Sequence, residues 1–328
     1  MDRRTKLLSV LAGGGFHSGE TLATALGVSR TAIWKHIQSL SNWGLDVYAV
    51  RGRGYSLAQP LRLLDRGAIL AGIPAPARAL ITQLELFPVV ESTNGYLLDI
   101  ARRDSGRGRV CLAERQTHGR GRRGRMWVSP FARNLYVSVL WRFQQPPSAI
   151  GGLGLAIGIA VADALRAGGA INVGLKWPND IYWQDRKLGG ILLEMFGEAG
   201  GPSTVVVGMG VNVDMGSSST VPTIDQPWTD FATAASNPAP CRNTLAALLL
   251  SEVFSVLETF ETCGLSPFVG RWNALDVLKG REVDVRLPTS TVRGVANGID
   301  DDGALLLYTG GQSKRFVSGE LSLRLAFP

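Results

Sequence analysis

The feature that most restricts the fold of this chain is a change in apolar spacing within about its first sixty residues. Up to residue 40, apolar side chains recur at helical spacing in three short segments, and a serine at an N-cap position precedes the second and the third. From Leu45 to Leu57 the spacing becomes the alternation typical of two strands, with a glycine-rich turn at 51–54. Three helices followed by a two-stranded wing predict a winged helix-turn-helix domain over residues 1–62.

The third predicted helix presents polar and basic side chains outward, as a recognition helix does in the major groove of DNA. Residues 1–60 contain seven basic and three acidic residues, a net charge of +4, and such a charge favours contact with phosphates. The candidate DNA-binding residues are Ser29, Arg30, Thr31, Trp34, Lys35, Arg51 and Arg53. Two alternatives stay open: the domain could serve protein contacts alone, and Trp34 could touch either a protein or a thymine methyl group.

Composition limits the class of protein. With 328 residues, 45% of them hydrophobic, the chain is long enough for two or three domains with substantial cores. The formal net charge of +7 favours polyanionic partners. Three cysteines without a CxxC pair predict a reducing compartment and no structural zinc. The N-terminus lacks the apolar core of a signal peptide and no run of 18 uncharged apolar residues occurs, so we expect a cytoplasmic protein.

Beyond the predicted winged helix, the chain divides again near residue 273. From 63 to 272, strand-like and helical runs follow one another without strict alternation, which predicts an α+β domain with a mixed sheet. From 273 to 328, short strands with close turns predominate, including an aspartate-rich turn at 300–303, and they predict a small β-barrel. The predicted fold class is therefore α+β with three domains, at 1–62, 63–272 and 273–328.

A loop at 116–127 carries the strongest chemical signal. It reads QTHGRGRRGRMW and contains three glycines, four arginines and no acid. Glycine lets the backbone approach a ligand closely and arginine presents a planar, permanently charged fork, so this arginine loop predicts a small-anion site. Its GxGxxG match is a weak dinucleotide signal, because arginines fill the variable positions and Pro130 disfavours the helix that should follow. Taken alone, the loop could equally be a solvated basic surface.

Four further motifs strengthen the prediction when they are combined with the arginine loop. They are ESTN at 91–94, KWPND at 176–180, KLGGILLE at 187–194 and GMGVNV at 208–213. Together these segments make the chain resemble the biotin protein ligases, and specifically the bifunctional kind that also represses the biotin operon. The resemblance extends over essentially the whole chain, and the combination of motifs is highly specific although no single motif is.

The resemblance implies a fold, an activity and a set of partners. The fold would be an N-terminal winged helix, a mixed-sheet α/β domain of the biotin/lipoate ligase type and a C-terminal SH3-like barrel. The activity would be the ATP- and Mg²⁺-dependent conversion of biotin to biotinyl-5'-AMP, followed by transfer to a lysine of the biotin carboxyl carrier protein of acetyl-CoA carboxylase. The adenylate would also promote a homodimer that binds operator DNA. A DNA-binding metabolite sensor without ligase turnover and a lipoate ligase are the alternatives.

The resemblance also implies roles for particular residues. Biotin would be bound by Ser92, Thr93, Asn94, Gln116, Gly119, Arg120, Lys187, Gly189 and Gly190. The nucleotide would be bound by Arg120, Arg122, Arg123, Asn212, Trp228 and Arg324. The catalytic residues would be Arg122, Lys176, Asp180 and Lys187, with Asp180 also the candidate metal (Mg²⁺) contact. A biotin carboxylate and an ATP α-phosphate repel each other, and the cations would offset that repulsion.

Several of these residues also have ordinary structural explanations. Ser92 and Thr93 are suited to the N-cap of a helix, and both roles can hold together. Gly189 and Gly190 could simply ease strand packing. A tryptophan followed by proline, as at Trp177, is more typical of a core than of a ligand site.

Two strand segments, 135–143 and 187–195, are candidates for the dimer contact. An exposed strand edge is a template for pairing with another chain, so these segments could pair across a two-fold axis. Such a dimer would match a two-fold operator. The segment 214–227 is rich in serine, proline and glycine, and we expect it to be mobile without ligand.

Overall fold

The structure is a computed structural model that describes residues 3–103, 106–198, 200–216, 224–236, 239–287, 289–317 and 322–325. Its N-terminal domain consists of α1 (Arg3–Ala12), α2 (Gly19–Leu26), α3 (Arg30–Ser41), β1 (Val47–Val50) and β2 (Gly54–Leu57). Ser18 and Ser29 cap α2 and α3 by accepting backbone N–H groups. The two strands pair in antiparallel fashion, which confirms the predicted winged helix-turn-helix.

The central domain is built around one mixed sheet. Its helices are α4 (Arg66–Gly72), α5 (Ala75–Ala79), α6 (Thr93–Ala101), α7 (Leu153–Ala167), α8 (Phe231–Ala234), α9 (Arg242–Cys263) and α10 (Ser266–Leu275). Its strands are β3 (Gln83–Phe87), β4 (Arg109–Ala113), β5 (Leu135–Phe143), β6 (Gly174–Lys176), β7 (Asp180–Trp183), β8 (Arg186–Gly197) and β9 (Ser203–Val211). The order is β3-β4-β5-β9-β8-β7-β6; β3 and β4 are parallel and the other pairs are antiparallel. The mixed sheet is therefore confirmed.

Helices cover both faces of this sheet. Alternate side chains of a strand point to opposite faces: Cys111 and Leu140 pack with Leu97 of α6, whereas Val110 and Val139 belong to the core that contains α7 and α9. By length and composition alone, Pro147–Ala167 and Arg242–Cys263 would be long and apolar enough to cross a membrane, but 67% and 56% of their most apolar windows are buried. In this fold they are helices of the protein core.

The C-terminal domain is a five-stranded antiparallel sheet. Its strands are β10 (Glu282–Arg286), β11 (Thr291–Ile299), β12 (Leu305–Thr309), β13 (Gln312–Phe316) and β14 (Ser322–Leu325), in the order β13-β12-β11-β10-β14. The aspartate-rich turn closes as predicted, because the N–H of Gly303 donates to the carbonyl of Asp300. The carbonyl of Gly303 accepts the indole N–H of Trp177 at 3.2 Å, so this turn buttresses the KWPND segment.

The strand order corrects the prediction of two exposed edges. Strand β5 lies between β4 and β9, which pairs with β5 along its full length, so 135–143 is largely an interior segment. Strand β8 pairs with β9 from Gly189 onward, but β7 covers its other side only as far as Gly190. Within the described ranges, an open edge therefore remains from Leu192 to Gly197. The prediction failed for the first segment because strand order follows from long-range pairing that local spacing does not encode.

Candidate ligand-binding and active site

All five motifs named above contribute residues to the lining of a single pocket. The predicted site residues that line it are Ser92, Thr93, Asn94, Gln116, Arg120, Arg122, Arg123, Lys176, Asp180, Lys187 and Gly190. Sheet pairing explains their convergence, because β8 places Lys187 and Gly190 between β7, which begins at Asp180, and β9. The arginine loop then folds over this part of the sheet.

One end of the pocket is a buried network of neutral hydrogen bonds. The side-chain oxygen of Gln116 accepts the backbone N–H of Thr93 at 2.9 Å and its hydroxyl at 3.1 Å. The hydroxyl of Ser138 lies 2.7 Å from that of Thr93 and 2.6 Å from the amide oxygen of Asn94. Ser92 is the N-cap of α6, so the helix start holds this network in place. These groups can recognise a small polar head that both donates and accepts hydrogen bonds.

The other end is strongly basic. Arg122 donates to the side-chain oxygen of Asn179 at 3.3 Å. Burial, followed by the neighbouring charge of Arg123, lowers the pKa of the Arg122 guanidinium. Arg123 itself has a φ of 59°, a left-handed conformation that is unfavourable for a residue with a side chain. A concentration of partly desolvated positive charge on a strained loop is suited to an anion such as a phosphate.

Two carboxylates lie against the cations in the ligand-free pocket. Lys187 forms an ion pair with Asp180, with 2.7 Å between the ammonium and carboxylate atoms. Arg120 pairs with Glu194 at 3.2 Å, and Glu194 also accepts the side-chain N–H of Asn94 at 2.8 Å. Glu194 therefore connects the neutral network to the arginine loop. An anionic ligand can replace either carboxylate without leaving the cation unpaired.

Lys176 is buried more deeply than Lys187. Only 7% of its surface is exposed, and its ammonium group donates to the hydroxyl of Tyr182 at 3.0 Å. The same ammonium lies 4.7 Å from the centre of the Tyr182 ring, which is a cation–π contact. The Tyr182 side chain therefore holds Lys176 at the pocket wall.

Gly190 on β8 and Gly208 and Gly210 on β9 lie at the base of the pocket and have no side chains. A Cβ atom on Gly210 would lie 2.5 Å from the indole of Trp127, and one on Gly208 would lie 2.2 Å from the amide oxygen of Asn94. Trp127 thus packs against the sheet and anchors the arginine loop. Its indole N–H is buried and has no hydrogen-bond partner among the described residues.

Four predicted site residues whose side chains are described do not line the pocket: Gly119, Gly189, Asn212 and Trp228. Gly189 allows β8 to pack closely beside β9, because a Cβ atom there would lie only 2.8 Å from a carbonyl oxygen of β9. Asn212 is buried and donates to the carbonyl of Thr229 at 3.0 Å. Trp228 pairs with Lys187 in an isolated bridge. Arg324 lies in β14 opposite Asp284, and its side chain is outside the described part of the chain, as are residues 217–223 of the segment expected to be mobile.

The structure adds pocket residues that sequence reasoning missed. They include Asn179, Gly208, Gly210 and Leu323 in the lining, and Glu194 beside it. The alternating glycines of GMGVNV could have indicated Gly208 and Gly210, because two side chains are missing from one face of a strand. No local signal indicates Glu194, since its partners Asn94 and Arg120 are distant in sequence.

A metal ion would find few protein ligands here. In the described residues, no group of three or more histidine, cysteine or acidic side chains could hold one. Asp180 is the only acid among the described lining residues, and its carboxylate faces Lys187. This donor set fits a Mg²⁺ ion that arrives on the phosphates of a nucleotide and takes at most one carboxylate from the protein.

The winged helix has the features of a nucleic-acid interface. On α3, one continuous face is exposed and bears Arg30, Thr31, Trp34, Lys35 and Gln38, whereas Ile33, Ile37 and Leu40 are buried beneath it. Helix α3 carries no acidic residue. Arg51 and Arg53 are exposed in the wing, and the Arg53 guanidinium lies 4.2 Å above the ring of Phe16.

Comparison with known proteins gives a consistent result for each part of the chain. Residues 3–56 match the HTH domain family, residues 86–212 the Biotin/lipoate A/B protein ligase family, and residues 279–324 the Biotin protein ligase C terminal domain family. The chain is 47% identical to the bifunctional ligase/repressor BirA of Escherichia coli over 98% of this chain and 97% of that protein. It is 31% identical to the protein of the same name from Bacillus subtilis, over 95% of each.

Solved structures agree with the sequence comparisons. A biotin protein ligase from Aquifex aeolicus, in complex with biotin and ATP, superimposes with a TM-score of 0.64 at 29% identity. The match covers 75% of this chain and 100% of that one. The ligase of Aquifex aeolicus in its apo form superimposes with a TM-score of 0.60 at 26% identity, over 74% of this chain.

Proposed function

The chain belongs to the family of bifunctional biotin ligases and repressors, and from this we propose how its pocket and its winged helix perform the two activities. It is an ATP-dependent, AMP-forming biotin–protein ligase with a DNA-binding repressor domain. The observation that carries the proposal is the division of the pocket into a neutral hydrogen-bonding end at Gln116 and a basic end at Arg122. Biotinyl-5'-AMP is divided in the same way, because it has an uncharged ring system at one end and a nucleotide at the other.

Biotin binds at the neutral end in this proposal. Thr93, Asn94 and Gln116 exchange some of their mutual hydrogen bonds for bonds to the ureido group of the ring. The missing side chains of Gly190 and Gly208 let Trp127 and Asn94 lie close against the sheet, which leaves room in the pocket for the bicyclic ring. The valeryl chain then extends toward the cations.

Adenylate forms where Lys187 and the arginine loop meet. The biotin carboxylate attacks the α-phosphorus of ATP, a C(O)O–P bond forms and pyrophosphate leaves. Lys187 and Arg122 offset the charge of the two reacting anions, and Lys176 lies on the pyrophosphate side. Mg²⁺, held mainly by the phosphates with Asp180 as the candidate protein contact, supplies further positive charge when bound. Closure of the arginine loop then protects the anhydride from water.

Transfer requires no nucleophile from the enzyme. The neutral amine of a carrier lysine attacks the acyl carbon of the anhydride, an amide bond forms, the C–O bond to the phosphate breaks, AMP leaves with the bonding electrons and the proton lost by the amine is released to solvent. In this proposal Asp180 polarises the incoming amine, and its ion pair with Lys187 at 2.7 Å supports that role. The proposed acceptor is the biotin carboxyl carrier protein of acetyl-CoA carboxylase, and the proposed location is the cytoplasm.

Substrate anions replace internal carboxylates when they bind. In the ligand-free pocket, Asp180 and Glu194 neutralise Lys187 and Arg120. The pocket thus avoids a concentration of unpaired cations before substrate arrives. Biotin and ATP together supply enough negative charge to release both carboxylates, whereas biotin alone supplies one.

Dimerisation is proposed at the open edge of β8. From Leu192 to Gly197 the backbone is unpaired on one side within the described ranges, and Met195 and Phe196 there are 46% and 37% exposed. An unpaired strand edge with apolar side chains is a template for a second copy. The homodimer would place two α3 helices on a two-fold operator.

A single assay separates ligase from sensor. The protein is mixed with labelled biotin, ATP and Mg²⁺, with and without a biotin carrier domain, and we expect label on the carrier lysine. Lys187→Ala should slow ATP–pyrophosphate exchange by orders of magnitude, whereas Lys314→Ala, an exposed lysine of β13, should not. Bound adenylate without carrier labelling would support a metabolite sensor instead, and normal exchange in the Lys187 variant would reject its assigned role.

A further inference from the structure

We propose that Arg133 is a positioning residue that couples the ligand site to the winged-helix domain. Arg133 lies in the turn 130–134 between the arginine loop and β5, outside the pocket lining. Its guanidinium bridges two parts of the chain that belong to different domains. The inference rests on the proposed function, because it concerns how ligand binding reaches the DNA-binding surface.

The bridge consists of two hydrogen bonds from one side chain. One terminal nitrogen of Arg133 donates to a carboxylate oxygen of Asp214 at 3.2 Å. The other donates to the side-chain oxygen of Gln59 at 3.0 Å. Arginine suits this position because its planar fork presents two donors in fixed directions, whereas a lysine ammonium could reach one acceptor but not span both with the same geometry.

The Gln59 end of the bridge is fixed to the winged helix. Its neighbour Ala58 donates to the carbonyl of Asp46 at 3.0 Å, and Leu61 donates to that of Ala12 at 2.9 Å. Both acceptors belong to the N-terminal domain. A movement of this domain therefore moves Gln59 with it.

The turn that carries Arg133 is also seated against the winged helix. The ring of Phe131 stacks on that of Trp43, with centres 5.8 Å apart and planes inclined by 8°. Phe131 is 6% exposed and belongs to the same apolar cluster as Leu40 and Leu45. This contact holds the turn against the winged helix, so that Arg133 connects the two domains through a fixed geometry.

The Asp214 end is fixed to the ligand site. Asp214 begins the segment that follows β9, and its N–H donates to the carbonyl of Arg133 at 3.1 Å. The next residue, Met215, donates to the carboxylate of Asp230 at 3.0 Å. Thr229, beside Asp230, donates to the carbonyl of Lys187 at 3.0 Å. A displacement of Lys187 or of this segment on ligand binding is thus transmitted within a few hydrogen bonds to Arg133.

The expected effect is on coupling and not on chemistry. Operator affinity is measured with and without biotin plus ATP, and the ratio of the two affinities gives the coupling between the sites. Removal of a partly exposed bridge of this kind should lower that ratio by up to about fivefold. Adenylate formation, dimerisation and thermal stability should change little, because none of them needs the bridge.

The test uses the full-length protein and an operator enriched from random duplexes by the wild-type protein with biotin and ATP. Arg133→Ala should reduce the coupling ratio, and Gln59→Ala should reduce it in part. The double variant should resemble Arg133→Ala alone, because both substitutions break the same bridge. Arg281→Ala, which removes an exposed ion pair with Asp185 between the central and C-terminal domains, is the matched control and should leave the ratio unchanged.

The outcomes separate this inference from the proposed function. If the wild-type protein shows no stimulation by biotin plus ATP, the ligand-dependent repressor role itself fails. If the wild type is stimulated and Arg133→Ala is stimulated equally, Arg133 is not a coupling residue. Additive effects of Gln59→Ala and Arg133→Ala would likewise overturn the bridge, since independent effects cannot come from one shared contact.

Discussion

At the scale of single residues, the pocket places its cations at unequal depth. Arg122 is held against Asn179 in surroundings that lower the pKa of its guanidinium through burial, whereas Arg125 of the same loop is exposed. A desolvated cation interacts more strongly with an arriving phosphate than a solvated one does, because less water screens the pair. Arg122 should therefore contribute more to nucleotide retention than its exposed neighbour.

Arg122→Ala is expected to accelerate dissociation of biotinyl-5'-AMP with little loss of thermal stability. The loss of one charge-assisted contact costs about 1.5–3 kcal/mol, roughly a tenfold to hundredfold change in affinity. Stopped-flow dissociation and thermal denaturation measure the two quantities. Arg103→Ala, at an exposed arginine after α6, is the control. Wild-type dissociation with wild-type stability would show that Arg122 does not contact the phosphate.

Asp276 is a second residue whose surroundings predict a measurable effect. One carboxylate oxygen accepts the N–H of Leu278 at 2.9 Å, while the other is buried without a partner among the described residues. Burial raises the pKa of this carboxyl from 3.8 to about 6. The folded state therefore disfavours the ionised form. Below pH 4 the carboxyl is protonated in the folded and the unfolded protein, and the folded state has its full stability. As the pH rises through about 6 the buried group must ionise, so the free energy of unfolding falls.

Asp276→Asn should therefore stabilise the protein at pH 8 but not at pH 4. The side chain keeps an oxygen for the Leu278 N–H and never acquires a charge. With about 1.4 kcal/mol for each pKa unit, the gain at pH 8 is at most about 3 kcal/mol. Denaturation of both proteins across this pH range measures the difference. A gain of equal size at both pH values would mean that ionisation of Asp276 is not its source.

At the scale of elements, the sequence predicted strands and helices better than their arrangement. The segments 135–143 and 187–195 were predicted as strands and correspond to β5 and β8, but β9 separates them in the sheet. Local spacing records which face of a strand is buried and carries no information about which strand lies beside it. The same limit applies to Glu194, whose partners Asn94 and Arg120 become neighbours only when the sheet and the arginine loop assemble.

Recurrent motifs made most of the pocket predictable, because their residue types are dictated by local chemistry. Gln116, Thr93 and Lys187 could be assigned from the sequence and lie in one pocket. Asn212 and Trp228 were assigned by the same resemblance but do not line it in the ligand-free structure. Part of the segment before Trp228 is outside the described residues. The nucleotide assignments of these two residues stay predictions.

The recognition helix gives a prediction at the same scale. Trp34 is 52% exposed on an α3 face that carries Arg30 and Lys35 and no acid, an arrangement suited to the major groove. If its indole packs on a thymine methyl group, replacing that thymine by uracil should weaken wild-type binding by about 0.8 kcal/mol, roughly fourfold. Trp34→Ala should bind the two duplexes equally and keep the wild-type salt dependence.

Lys35→Ala is the comparison for that experiment, because loss of a phosphate contact should reduce the salt dependence instead. Sensitivity to uracil that persists in Trp34→Ala would exclude the methyl contact. A loss of dimerisation in Trp34→Ala would assign the indole to a protein contact.

At the scale of the whole molecule, both terminal domains contact the central domain. The C-terminal turn at Gly303 supports Trp177 beside Lys176, and the winged helix meets the central domain at Phe131. The open edge of β8 contains Glu194, the carboxylate that pairs with Arg120 in the absence of ligand. In the proposed function, ligand binding therefore changes the charge at the proposed dimer edge.

DNA binding should therefore be stimulated by biotin plus ATP more than by biotin alone. An effector shifts an equilibrium only by its differential affinity for the two states. Biotin engages Gln116 and its network but leaves Arg122 without a phosphate, whereas the adenylate engages both ends of the pocket. Sedimentation and operator titration with no ligand, with biotin, and with biotin plus ATP measure dimerisation and affinity. Equal values in all three states would leave a ligase whose attached DNA-binding domain does not respond to its product.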